Sequence, residues 1–119
     1  MNNKEFGIYL ETRTKKFAIM IIRLSSSLPN TIEYRVIKNQ LVKSGTSIGA
    51  NYREANTSRS KADFVNRIKI CQSETNETMY WLELVIEIHN NHPEPDKNIL
   101  KEAKELFAIF TSIISKMRS

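Results

Sequence analysis

The sequence predicts an all-α protein, an up-down-up-down antiparallel four-helix bundle. Three observations point there. Only three Gly and three Pro occur among 119 residues, too few turn-formers for many short strands. Apolar residues recur at steps of three and four through four long stretches, the pattern of a buried helix face. Short polar connectors separate the stretches, and long helices on short links pack as antiparallel neighbours.

The first stretch runs from Glu5 to Ser27, with Leu10, Phe17, Ile21, Leu24 and Leu28 as its stripe. Leu28-Pro29-Asn30-Thr31 ends it: proline cannot donate to the helical ladder and disfavours helix at the residue before it. The second runs from Ile32 to Glu54, with Ile37, Leu41, Ser44, Ile48, Asn51 or Tyr52, and Ala55 in phase, and Asn56-Thr57-Ser58 as a polar stop. The third begins near Ser60, where Ser60-x-x-Asp63 resembles a capping box. Phe64, Ile68, Cys71, Thr75, Met79, Leu82 and Ile86 form its stripe. Ile70, Trp81, Leu84 and Ile88 lie off that stripe, so this helix needs a second apolar partner, from this chain or another. His89-Asn90-Asn91-His92-Pro93-Glu94-Pro95 reads as a turn. The fourth helix follows from Asp96 to Lys116, with Ile99, Ala103, Leu106, Phe110, Ile113 and Met117 in phase and Leu100, Phe107 and Ile114 beside them. One domain over residues 1–119 is expected, long enough to enclose a core.

Composition narrows the function classes. Forty per cent hydrophobic and 26 per cent charged residues are ordinary for a globular chain. The single cysteine, Cys71, cannot form an internal disulfide. No basic segment leads into an apolar run as in a signal peptide, and no stretch nears the roughly 20 apolar residues that span a bilayer. A cytoplasmic protein with no membrane partner is the expectation.

The net charge of +5 is unevenly spread. The Asp63–Glu87 segment holds five acids against two cations, whereas cations dominate before it. Arg13, Lys15, Lys16, Arg35, Lys38, Lys43, Arg53, Arg59 and Lys61 are the candidate nucleic-acid contacts, with Arg23 beside them. Phosphate contacts need positive charge and only modest geometry. No recognised RNA or DNA module accompanies them. The same basic surface could instead answer the acidic third helix of a neighbouring copy.

Chemistry-bearing motifs are sparse. Ser44–Ala55 contains two of the three glycines, Gly45 and Gly49. It lacks the Lys-Ser/Thr of a phosphate loop and the dinucleotide fingerprint. Helical spacing continues through it, so the glycines read as a close-packing site, with Trp81, Tyr80 or Phe64 as the incoming ring. A metal-dependent bundle enzyme is a distant alternative. Glu74 and Glu77 share a helix face, but Glu-x-x-His does not occur and the two histidines, His89 and His92, read as surface residues at a turn. Cys71 falls on the apolar stripe and reads as a core thiol. No catalytic residue, metal ligand or cofactor site is expected. The remaining polar cluster, Asn51, Arg53 and Glu54 with Glu74 and Glu77, predicts an interface network with Tyr52, Tyr80 and Trp81, in which Arg53 or Lys69 pairs with the carboxylates.

These residues carry a family resemblance. Gln40-Leu41, Ser44-Gly45-Thr46-Ser47-Ile48, Ala50-Asn51-Tyr52-Arg53-Glu54-Ala55, Ser60, Asp63-Phe64, Glu74, Glu77-Thr78 and Tyr80-Trp81-Leu82-Glu83 resemble the core of the bacterial 23S rRNA intervening-sequence-encoded proteins, or four-helix bundle proteins. Lys43 stands where that pattern has Arg, and Gln72-Ser73 departs from a Lys-containing run. The resemblance implies a small bundle in a ring-like homo-oligomer, a pentamer, and no established enzymatic activity. Accessory proteins of diversity-generating retroelements are similar in fold and bind nucleic acid and a reverse transcriptase. Nucleic acid, or a protein partner of a scaffold, is therefore the implied partner class.

Overall fold

The computed structural model describes residues 1–89 and 93–118. They form four helices: α1 (Asn3–Ser27), α2 (Ile32–Ala55), α3 (Lys61–Ile88) and α4 (Pro93–Arg118). Among the described residues there is no strand. Helices of 24 to 28 residues are about 36–42 Å long at 1.5 Å per residue. The molecule measures 44 × 24 × 21 Å, so each helix runs its length and successive helices reverse. Consecutive helices pack together and α1 closes on α4, the sparsest of the four seams, while the diagonal pairs do not meet.

Local chemistry sets the ends. Asn2 caps α1: its Oδ1 accepts from the Glu5 amide at 2.8 Å, and Glu5 Oε1 accepts from the Asn2 amide at 3.2 Å. This reciprocal cap starts the helix two residues before Glu5. Thr31 Oγ1 accepts from the Tyr34 amide at 3.2 Å and Ser60 Oγ from the Asp63 amide at 3.1 Å, fixing the starts of α2 and α3. The fourth helix begins at Pro93, not Asp96. Prolines in a first turn cost nothing, because the amides there have no intrahelical acceptor anyway. Asn90, Asn91 and His92 lie outside the described residues.

Leu10, Phe17, Ile21, Leu41, Ile48, Ile68, Cys71, Leu82, Val85, Ala103, Leu106 and Phe110 are fully enclosed. The apolar stripes of the sequence supply most of this core. Thr14, Thr75 and Thr78 are enclosed as well. Their hydroxyls donate one turn back, to the carbonyls of Leu10 at 2.8 Å, Cys71 at 2.7 Å and Glu74 at 2.7 Å. A hydroxyl satisfied in this way enters a core at small cost. Thr78 Oγ1 also lies 2.9 Å from Ser44 Oγ, a hydroxyl pair across α2 and α3.

Candidate interaction surfaces

Ser44 to Ala55 is helical throughout, and no described residue has a left-handed φ. A Cβ on Gly45 would stand 2.9 Å from both Cγ1 and Cγ2 of Ile21. One on Gly49 would stand 3.1 Å from Thr14 Oγ1 and 3.4 Å from the Thr14 backbone carbon. The missing side chains therefore let α1 approach α2. The groups that fill the space are Ile21 and Thr14, and not the rings of Trp81, Tyr80 or Phe64. The reason is angular. Successive residues point about 100° apart, so Ser44 faces α3 through Thr78 while Gly45 turns to α1.

The polar cluster divides between two faces. Asn51 Nδ2 donates to the Ser47 carbonyl at 2.9 Å. Arg53, instead of meeting Glu74 or Glu77, lies on the α1 side with Nε 3.6 Å from Glu11 Oε1. Glu54 is exposed. Tyr52 is a core residue, 2% exposed, its ring 6.1 Å from that of Phe110. Burial, opposed by a hydrogen bond with Asn56, pushes its phenol pKa up. On α3, Trp81 Nε1 donates to Glu77 Oε2 at 3.2 Å, and the Tyr80 and Trp81 rings meet edge-on at 5.1 Å. Glu74 is half-buried, and its carboxyl is raised first by that burial and then by Glu77, with Lys43 opposing.

The cations also separate. Arg13 is bound into the protein. Its Nε and Nη2 donate to Glu102 at 2.8 and 2.7 Å, Nη2 donates to Glu105 at 2.8 Å, and Nη1 to Tyr9 Oη at 2.9 Å. The hydrogen bonds to Glu102 lead in raising its pKa over the opposing desolvation. Arg13 thus cross-links α1 to α4 and its charge is already neutralised, which removes it from the phosphate candidates. Lys38 is half-buried and donates to the Leu28 carbonyl at 3.4 Å, beside the α1–α2 turn. Lys15, Lys16, Arg35, Lys43, Arg59 and Lys61 are exposed. Ser25, Ser26, Lys38, Asn39, Val42 and Lys43 line an open groove of about 510 Å³ between α1 and α2.

His89, read as a surface residue, is half-buried. Its Nδ1 is 2.9 Å from Oδ2 of Asp96, a carboxylate 1% exposed in the first turn of α4. The pair ties the end of α3 to the start of α4. Asp96, Glu102 and Glu105 escaped the sequence reading. The signal for the last two was their i, i+3 spacing beside the α4 stripe. Cys71 Sγ lies 3.6 Å from the Ile48 carbonyl, and burial, with a smaller push from Glu74, raises the thiol to about 12. It is therefore protonated at neutral pH, as a packing group would be. Among the described residues, no group of three or more His, Cys, Asp or Glu is placed to hold a metal ion, and no helix is long and apolar enough to cross a membrane.

With this geometry in view, the chain can be set beside known proteins. The family model described as 23S rRNA-intervening sequence protein matches residues 10–112. Among solved structures, the chain is similar to a protein with unknown function from the S23 ribosomal protein family of Bacteroides thetaiotaomicron VPI-5482. The two share 39% identity over 87% of this chain and 96% of that one, with a TM-score of 0.80. No curated protein matches the chain.

Proposed function

The chain belongs to the 23S rRNA-intervening sequence protein family, and from that premise we propose that it acts without catalysis, as a self-associating bundle that binds nucleic acid. One observation carries the reading. Lys15, Lys16, Arg35, Lys43, Arg59 and Lys61 of the α1–α2 half and the start of α3 all stand in solvent, within reach of a phosphodiester backbone. The groove beside Lys38 and Lys43 adds serine and asparagine groups that can position phosphate. No base-reading element is evident, so binding is expected to be weak and indifferent to sequence. A cytoplasmic setting goes with this reading.

The test is a titration of RNA and duplex DNA at two salt concentrations. With three to five phosphates engaged, log Kd should change with log salt at a slope of about 3–4.5 for duplex. Lys38→Glu with Lys43→Glu should weaken binding by about tenfold or more. No binding at low salt would sink the proposal.

A protein-directed scaffold is the second reading. Ile70, Tyr80 and Ile88 favour it, being large apolar side chains exposed on α3. It predicts self-association without any salt-dependent uptake of nucleic acid.

A further inference from the structure

Two helix faces outside the core share one pattern. On α1, Ile8, Thr12, Lys15, Ile19, Ile22 and Ser26 recur at steps of four, three, four, three and four, and all six are exposed. On α3, Ile70, Glu74, Glu77, Trp81, Leu84 and Ile88 recur in the same order of steps. Ile70, Glu77 and Ile88 are exposed and the other three are half-buried. An average step of about 3.5 residues is the spacing of a coiled-coil seam. The α1 seam is uncovered within the bundle, its isoleucines at 59%, 39% and 46% exposure (Ile8, Ile19, Ile22) an unusual concentration of apolar surface. On the α3 seam Trp81 leans partly on the core while Ile70 and Ile88 stay 42% and 47% exposed.

The two seams also match in direction and charge. Helices α1 and α3 run the same way at opposite corners of the bundle. Copies standing side by side with their axes aligned therefore present the α1 seam of one, in parallel, to the α3 seam of the next. In that register Ile8 meets Ile70, Ile19 meets Trp81, Ile22 meets Leu84, and Lys15 meets Glu77. Lys16 and Arg23 flank the first seam, and Glu87 flanks the second. Two α1 seams would bring cations together, and two α3 seams acids.

We infer that the α1 seam docks in parallel on the α3 seam of a second copy, with Lys15 opposite Glu77. The contact is head-to-tail. Each copy keeps one unused seam of each kind, so further copies can add, as a closed ring or an open row according to the angle between the seams. The inference rests on the self-association half of the proposed function and names its surfaces. It also moves Lys15 from the phosphate contacts to the subunit interface.

Light scattering on the wild type and four variants tests it, with circular dichroism to confirm that each stays helical. Lys15→Glu and Glu77→Lys, each alone, should weaken association by about tenfold or more. The two changes in one chain should restore it. Ile19→Glu, which sets a carboxylate against Trp81, should dissociate the assembly; if it alone unfolds, the charge pair still decides. An oligomeric wild type whose size the charge reversals leave unchanged overturns the seam alone. So does a double variant no better than the singles. A monomeric wild type overturns the self-association reading and the seam with it.

Discussion

Along the α1–α2 seam side chains are missing, and along the α1–α4 seam they are long and charged. At the first, Gly45 and Gly49 bring the α2 backbone against Ile21 and Thr14. At the second, the guanidinium of Arg13 reaches to Glu102 and Glu105. The same helix thus has one neighbour held by shape and another held across a sparser seam by charge. Shape leaves little room for an added atom, least at Gly45, whereas a charged bridge can lengthen, hydrate and be screened. The difference explains why the glycines, each costing a helix about 1 kcal/mol, sit on one side of α2 only.

Removing the group that fills the glycine gap should cost most. Ile21→Ala deletes a fully enclosed side chain and is expected to lower stability by about 3–4 kcal/mol, read from urea melts. The reverse change comes next. Gly45→Ala drives a methyl into Ile21, whose branch points cannot swing away. An overpacking cost of about 1–3 kcal/mol, less the helix-propensity gain, leaves a net loss of about 1 kcal/mol. Gly49→Ala, facing a looser contact with Thr14, should be close to neutral. Equal losses at the two glycines would show that the seam does not discriminate by distance.

Arg13→Met tests the other seam. Arg13 and Glu102 keep about a fifth of their side-chain surface in solvent, so a loss of about 1 kcal/mol is expected. In ~0.5 M salt, where the Debye length falls to a few ångströms, that loss should shrink, while the Gly45→Ala loss should not. A salt-independent Arg13 effect would mean that its stem packs rather than its charge pairs.

The smallest effect belongs to α3. The folded-state pKa of Glu74 is raised above its ordinary value of 4.5, so the native protein favours the protonated form. Ionisation costs stability once pH rises through that range. Glu74→Gln should therefore melt slightly higher at pH 7, with the gain fading as pH falls through the raised folded-state pKa and gone well below 4.5. A constant gain across that range would trace to packing instead.

The helices and most of their buried faces were legible in the sequence, because Leu10, Phe17, Ile21, Leu41, Ile48, Ile68, Leu82, Leu106 and Phe110 repeat with the helical period. Thr14 and Thr78 were less so. Their burial depends on hydroxyls that turn back to the preceding carbonyls, which hydropathy does not register. The start of α4 was hidden because prolines signal a break in the middle of a helix and a start in its first turn. The glycine stretch was recognised as helical, but its partner was misassigned: a glycine records that something comes close without recording from which side. The same limit applies to Arg13, whose charge was plain while its acidic partners lay 89 and 92 residues away.

Cys71 supplies a clock. It is the only thiol in the chain, fully enclosed beside the Ile48 carbonyl at the α2–α3 seam. A maleimide or disulfide reagent can reach it only when those helices part, so its labelling rate counts openings of the bundle. With reagent in slow-trapping excess, that rate gives the free energy of opening under native conditions, without denaturant. Each substitution along α1 could then be read as a change in how often a single sulfur sees water.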